Sequence, residues 1–412
     1  MKNTGKPASR IFLSAACLVG IIGLQIGSEG QAVPAFARQT GLECANCHFQ
    51  AFPALNDFGR SFKADGYTLI GTGQSLVKGD HLSLPVVLNA ALEAKLRYQK
   101  SNGNDSTVDT NTGELRFPDE ASLLIGGHVG EHMGFLVELS ALSADAGVVA
   151  LRVPFTQKGE KTTLSIVPFL ADDAGPGYGF ELLNTGILRP QRVGEDRKAF
   201  SAAQYVGLGA GSAEGVAFAA SNQSGFVNVT FWAPKFGNFG VKRLAPYFRV
   251  AYTPYLASNW DTAIGMMYQS GKARSKEDGV PVDYVTKGMA ADVQVQGKAG
   301  IMPLGLYAVY AYAPYEAGSI YNRSGPDAKN AWSLQGQLGV VPQRLSLMLG
   351  YRSADTGAKT RNRDKATTLG FQYKLAQNAK IELTHRMMSG SHSSPKPGDG
   401  DQLTTAMFMF AY

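Results

Sequence analysis

The chain has 412 residues, 43.9 kDa, with 48 glycines, 19 prolines and only 17% charged residues. Mean hydropathy is −0.11, and the single apolar stretch long enough to resemble a spanning helix lies at the extreme N-terminus, which excludes a polytopic helical membrane protein. The 44% apolar fraction excludes wholesale disorder, and a net charge of +6 without a basic stripe excludes a nucleic-acid partner.

Residues 1–32 read as a signal peptide for export. Lys2, Lys6 and Arg10 precede an apolar core from Ile11 to about Ile26, and Gly30-Gln31-Ala32 offers a cleavage site. An uncleaved anchor helix is the competing reading. Removing the leader takes away three cations and Glu29, leaving a net charge of +4.

Of three cysteines, Cys17 falls in the leader, so the exported chain keeps Cys44 and Cys47, followed directly by His48. C-x-x-C-H is the attachment signature of c-type haem. The spacing suits the chemistry: two thiols add to the two vinyl groups, and the neighbouring imidazole reaches the iron from the same turn. Cys44, Cys47 and His48 are therefore the expected cofactor-binding residues for one covalently attached haem c, with His48 as the metal ligand. A structural zinc site needs four ligands, and no second cysteine pair exists. A thioredoxin-like pair needs a βαβ context, which is missing. A disulfide beside a chance histidine is the last rival, and only 6 of 412 residues are histidine. The distal ligand stays open among His81, His128, His132, His385, His392 and the methionines. His128 and His132 are expected at an exposed hairpin turn.

Residues 33–79 form the expected monohaem cytochrome c segment. After Pro53, Leu55, Phe58 and Phe62 recur at intervals of three and four, which predicts a short helix ending at Gly66. Fewer than fifty residues rarely make an adequate core unaided, so the rest of the chain is expected to cover the haem.

Residues 80–412 read as an outer-membrane β-barrel, porin-like. Leu88, Ala90, Leu92, Ala94, Leu96 and Tyr98 alternate with Asn89, Ala91, Glu93, Lys95 and Arg97, a strand with one apolar and one polar face. The same period recurs in Phe226–Trp232, Tyr247–Tyr252, Leu304–Tyr312, Trp332–Leu338, Leu345–Tyr351 and Leu369–Tyr373. Short connections (Val340–Gln343, Ala376–Asn378) alternate with long polar ones (270–286, 313–329, 353–364, 389–401), the habit of outer-membrane barrels. Phe408, Phe410 and Tyr412 end the chain in an aromatic strand. The predicted fold class is all-β: a transmembrane antiparallel barrel of about sixteen strands with a small N-terminal α-helical cytochrome segment. Residues 145–200 are the least certain part and are expected to hold one strand or three. A soluble sandwich or propeller is the rival. Glu93, Lys95 and Arg97 are read as pore-wall charges that solvate the lumen.

At PAFARQTG before Cys44, at Cys44-x-x-Cys47-His48, and at Phe58-Gly59-Arg60 with Phe62-Lys63 and Gly66-Tyr67, the sequence resembles the fused monohaem cytochrome–porins of iron-oxidising bacteria. The intervening FQAFPALND is longer and more aromatic than in those members, the mark of a sister branch. The resemblance implies Cys44 and Cys47 as attachment sites and His48 as proximal ligand. It also implies location in the bacterial cell outer membrane, and electron transfer from extracellular Fe(II), or another donor, to a periplasmic electron-carrier cytochrome, with ferrous-iron oxidation as the activity. Rival readings are a conduit with a different donor, a passive porin with a structural or sensory haem plug, and peroxidase-like catalysis.

Overall fold

The computed structural model describes residues 35–71, 76–79, 82–86, 88–140, 147–187, 194, 196–234, 243–257, 260–277, 279–323 and 325–412. The signal-peptide reading, Cys17 and His81 lie outside these residues. Sixteen antiparallel strands close into one barrel. The first eight are β1 (Ala90–Ser101), β2 (Glu114–His128), β3 (Gly134–Ser140), β4 (Val148–Arg152, resuming at Phe155–Lys158), β5 (Thr163–Ala171), β6 (Ala213–Asn222), β7 (Gly225–Pro234) and β8 (Ala245–Tyr252, resuming at Tyr255–Ala257). The others are β9 (Trp260–Gln269), β10 (Gly288–Ala299), β11 (Met302–Ala313), β12 (Lys329–Val341), β13 (Leu345–Asp355), β14 (Arg363–Ala376), β15 (Ala379–Ser389) and β16 (Gln402–Ala411). The last strand seals onto the first, with Phe408 opposite Leu96 and Phe410 opposite Ala94.

Alternation decides which face each residue takes. On β7, Val227 and Phe231 point outward and are exposed, whereas Asn228 and Thr230 point inward and are buried. Ile264, Leu306, Leu334, Leu349 and Leu369 continue the exposed apolar exterior on later strands. Apolar outside and polar inside suits a wall whose exterior solvent is lipid, and closure leaves no backbone edge unpaired. An 11-residue strand such as β13, tilted by about 40°, rises roughly 28 Å, enough to cross the hydrocarbon layer. This is the architecture of a porin-like outer-membrane barrel. Connections after even-numbered strands are short (223–224, 300–301, 342–344, 377–378), and those after odd-numbered strands run from seven to 41 residues. The short turns mark the periplasmic end. β1 begins and β16 ends there.

Two features differ from the sequence expectation. The connection read as a polar loop at 270–286 contains a hairpin, Lys272–Glu277 paired with Val280–Val285, whose Arg274 is held to Asp283 at 2.7 Å. Among its described residues the stretch 145–200 holds two strands, β4 and β5, where one or three were expected; of the connection that follows, the described residues 172–187, 194 and 196–212 pack inside the lumen. Its Ile187, Ala202, Ala203, Val206 and Leu208 pack on Ala290, Val309, Ala311 and Ala331 of the inner wall. Small side chains on that wall make room for two short helices, Arg197–Phe200 and Ala202–Val206.

One ion cluster pins this loop. Arg249 of β8 reaches Glu181 of the loop at 2.7 Å and Asp292 of β10 at 2.5 Å, with all three side chains fully buried. Glu181 also accepts from the backbone N–H groups of Leu182 and Leu183, and Thr185 donates to Asp292. Replacing Arg249 by Met leaves two carboxylates buried without their cation, and should destabilise the barrel by about 3–5 kcal/mol. The check is the temperature at which the folded, fast-migrating band disappears on a gel; an unchanged temperature would show the cluster to be idle.

Candidate haem c attachment site

The N-terminal segment crosses the short-turn mouth as a plug of three helices, α1 (Ala35–Thr40), α2 (Cys44–Cys47) and α3 (Asp57–Ala64). α2 is a single turn closed by the bond from His48 N to the Cys44 carbonyl at 2.9 Å. Both cysteines are half-buried thiols, and burial raises the pKa of the Cys47 thiol.

Asn56 holds that turn from three sides. Its N–H donates to the Cys47 carbonyl at 3.0 Å, its amide donates to the Asn46 carbonyl at 2.9 Å, and its side-chain oxygen accepts from Gly59 N as the N-cap of α3. Gly59 makes the approach feasible, because a Cβ there would overlap the Cys47 carbonyl. α3 runs over the predicted region and stops before Gly66, whose φ of +70° suits glycine.

The His48 ring has a defined orientation. Nδ1 lies 3.2 Å from the Ala54 carbonyl, which can only accept, so Nδ1 carries the proton and Nε2 keeps the lone pair. Burial pushes the imidazole pKa down to about 4, with the Ala54 carbonyl opposing and the Lys374 charge assisting. At neutral pH the ring is therefore uncharged. A neutral histidine oriented through its second nitrogen, one residue beyond two thiols on one helical turn, is the donor set a c-type haem requires. The residues present fit that group. Among the described residues, no cluster of three or more His, Cys, Asp or Glu side chains is arranged to hold a separate metal ion.

The plug is fastened to the short-turn rim. Cys44 N donates to Gln377 Oε1 at 3.2 Å, Lys380 donates to the Phe52 carbonyl at 3.1 Å, and Gln50 donates to the carbonyls of Pro303 and Gln337 while accepting from Ser346. The lumenal loop grips its inner side, where Asn184 exchanges two hydrogen bonds with the Leu55 backbone.

The residues flanking the C-x-x-C-H sequence act as anchors. Gln39 donates to the carbonyls of Tyr67 at 2.6 Å and Leu69 at 2.7 Å, tying α1 to the chain beyond α3. The Phe36 ring stacks on Tyr67 with centroids 4.6 Å apart and meets Phe62 edge-on. Arg60 bonds Asp261 at the start of β9 at 2.7 Å. Arg38 donates to the Ala90 carbonyl and lies over the Tyr412 ring. Asn56, Ala54 and Gln377 were not singled out in the sequence. Only Asn56 carried a signal, as a capping residue ahead of a helix.

The other histidines fall elsewhere. His128, expected at an exposed turn, is 1% exposed at the end of β2, with neither ring nitrogen hydrogen-bonded. The correction follows from register: His128 shares the inward face of β2 with Ser122 and Gly126. His132 is exposed as expected. His385 bonds Thr404 across β15 and β16, and His392 lies in the long loop after β15, at the opposite end of the barrel from His48. Glu93, Lys95 and Arg97 do line the lumen, but in ion pairs: Lys95 with Glu120 at 2.6 Å and Arg97 with Asp119 at 2.6 Å.

Neither a protein-family model nor a curated protein sequence matches the chain. Among solved structures it is similar to outer-membrane expressed OmpT of Vibrio cholerae (16% identity, 82% of this chain and 100% of that one, TM-score 0.45). It is also similar to the outer membrane channel DcaP of Acinetobacter baumannii (12%, 79% and 97%, TM-score 0.44) and to Salmonella typhi OmpF in complex with daunomycin (11%, 82% and 100%, TM-score 0.48).

Two substitutions test the site. Gly59→Ala should force α3 off the Cys47 carbonyl and sharply reduce covalent haem, read by haem staining of the denatured band, while the barrel still assembles. Asn56→Ala removes a helix cap and should cost about 0.5–2 kcal/mol of plug stability, read as faster proteolysis within residues 35–71.

Proposed function

We propose that this chain is an outer-membrane electron-transfer protein, a c-type cytochrome plug in a porin-like barrel. It takes electrons from an extracellular donor, ferrous iron in the first instance, and delivers them to a periplasmic carrier cytochrome. The observation that carries the reading is the His48 ring, proton on Nδ1 and lone pair on Nε2, one residue beyond Cys44 and Cys47. Haem c bound there supplies a one-electron couple at its iron. The chain's own residues do the holding: Cys44 and Cys47 tether, His48 ligates, and Asn56 and Gly59 keep the turn tight.

Attachment at the short-turn mouth favours hand-over to a periplasmic partner. Packing inside the wall favours a conduit over a passive porin, because inward polar residues such as Asn228, Thr230 and Gln294 are shut from solvent. The choice of ferrous iron rests on the sequence resemblance alone.

The test is an optical spectrum of the oxidised protein in detergent, before and after anaerobic ferrous iron. Sharp reduced haem c bands are the expected result. Bands that appear with dithionite but not with ferrous iron would remove the iron assignment and leave the conduit. Absence of haem bands in a protein matured in a haem c-competent host would overturn the whole reading. A Cys44→Ala, Cys47→Ala double variant should lose covalent haem while keeping a folded barrel.

A further inference from the structure

Strands β9 and β10 continue past the long-loop end of the wall. Beyond the Gln269–Gly288 pair their ladder breaks, then resumes as the hairpin Lys272–Glu277 with Val280–Val285. Side-chain parity carries through the break. On β9, Ala263, Met267 and Gln269 face the lumen. In the hairpin, Ala273 and Ser275 are buried in the same sense, Ala273 in one cluster with Trp232 and Tyr247 of the interior. The outer face of β9 carries Ile264 (52% exposed), Met266 (57%) and Tyr268 (45%). Lys272, Arg274 and Lys276, all exposed, continue that outer face.

One outward row thus runs from apolar side chains through a tyrosine to three cations spaced two residues apart. Arg243 joins them: its guanidinium meets Asp283 at 2.8 Å, and Arg274 meets the same carboxylate at 2.7 Å. Four cations therefore stand around one bonded carboxylate. Lys287, next on the outer face of β10, is already matched by Glu316 at 2.5 Å. Glu277 and Asp278 follow Lys276 in the sequence, at the hairpin turn and away from the wall. An aromatic residue at the end of the apolar band marks the membrane interface. Four residues of strand beyond it rise about 10 Å at a tilt of about 40°, which sets the cations at and above the lipid headgroups. Each lysine or arginine held near an anionic lipid surface adds to binding, and guanidinium pairs well with phosphate.

We propose that the outer face of this hairpin, Lys272, Arg274 and Lys276 with Arg243, binds the phosphate groups of outer-leaflet lipid. The face is continuous with the lipid-facing wall of β9, which favours a lipid over a soluble anion. The assignment stands independently of the haem reading.

The test uses the full chain purified in detergent, titrated with diphosphoryl lipid A and with the same lipid stripped of both phosphates, and read by native mass spectrometry. The phosphorylated lipid should bind at least tenfold more tightly. A Lys272→Gln, Lys276→Gln variant, which leaves the Arg274–Asp283 pair in place, should lose about thirtyfold in affinity for it. Lys298→Gln with Arg344→Gln, which removes two exposed cations at the short-turn end, should leave that affinity unchanged. Equal binding of the two lipids overturns the proposal. So does an unchanged affinity in the Lys272→Gln, Lys276→Gln protein, or an equal loss in both double variants. Displacement of the lipid by an equimolar amount of inorganic phosphate overturns it as well, assigning the face to a free anion.

Discussion

In lipid, a backbone N–H or C=O left unpaired has no water to turn to, so the strands must pair all the way round. Everything else in this molecule follows from that closure. With the exterior given over to apolar side chains, the only place left to build a core is the interior of the barrel. The chain fills it with its own segments. The described residues of the connection between β5 and β6 pack inside the wall, and the plug occupies the short-turn end. Alanines at 290, 311 and 331 are small because the loop needs the space, and polar groups such as Arg249 and Asp292 are tolerated because each finds a partner there.

The plug gains from this arrangement what its length denies it. Thirty-odd residues hold three short helices, and α2 is only one turn. Isolated, such helices would not persist. Here the C-x-x-C turn is fixed by Asn56 and Gly59 from within the segment, and by Gln377, Lys380 and Asn184 from the barrel and its loop. A histidine ring held in one orientation is thus referred to the most rigid object available, the sheet.

Much of this was legible in the sequence, for identifiable reasons. Period-two alternation in β1 and the aromatic close of β16 are local patterns imposed by lipid on one side, and they read directly. The short helix ending at Gly66 was equally local. The hairpin at 272–285 was hidden because its first strand, KARSKE, is dense in charge and reads as loop, and the lumenal loop because its apolar residues answer to alanines some eighty or more positions away. His128 was misjudged because alternation says which face a residue takes but not whether that face is wet. At the candidate site, spacing alone singled out Cys44, Cys47 and His48, whereas the Ala54 carbonyl that orients the ring is a backbone atom and has no sequence signature.

The contact of Arg38 with the Ala90 carbonyl and the Tyr412 ring has a consequence for assembly. Ala90 opens the first strand, and Tyr412 is the last residue of the chain. Their side-by-side position exists only once β16 has zipped onto β1. The plug therefore finds one of its anchors only in a completed cylinder, and an open sheet offers it no such seat. Seating of the N-terminal segment reports that the circle has closed, so a chain that stalls before its final strand docks also exposes the segment that the finished barrel shelters.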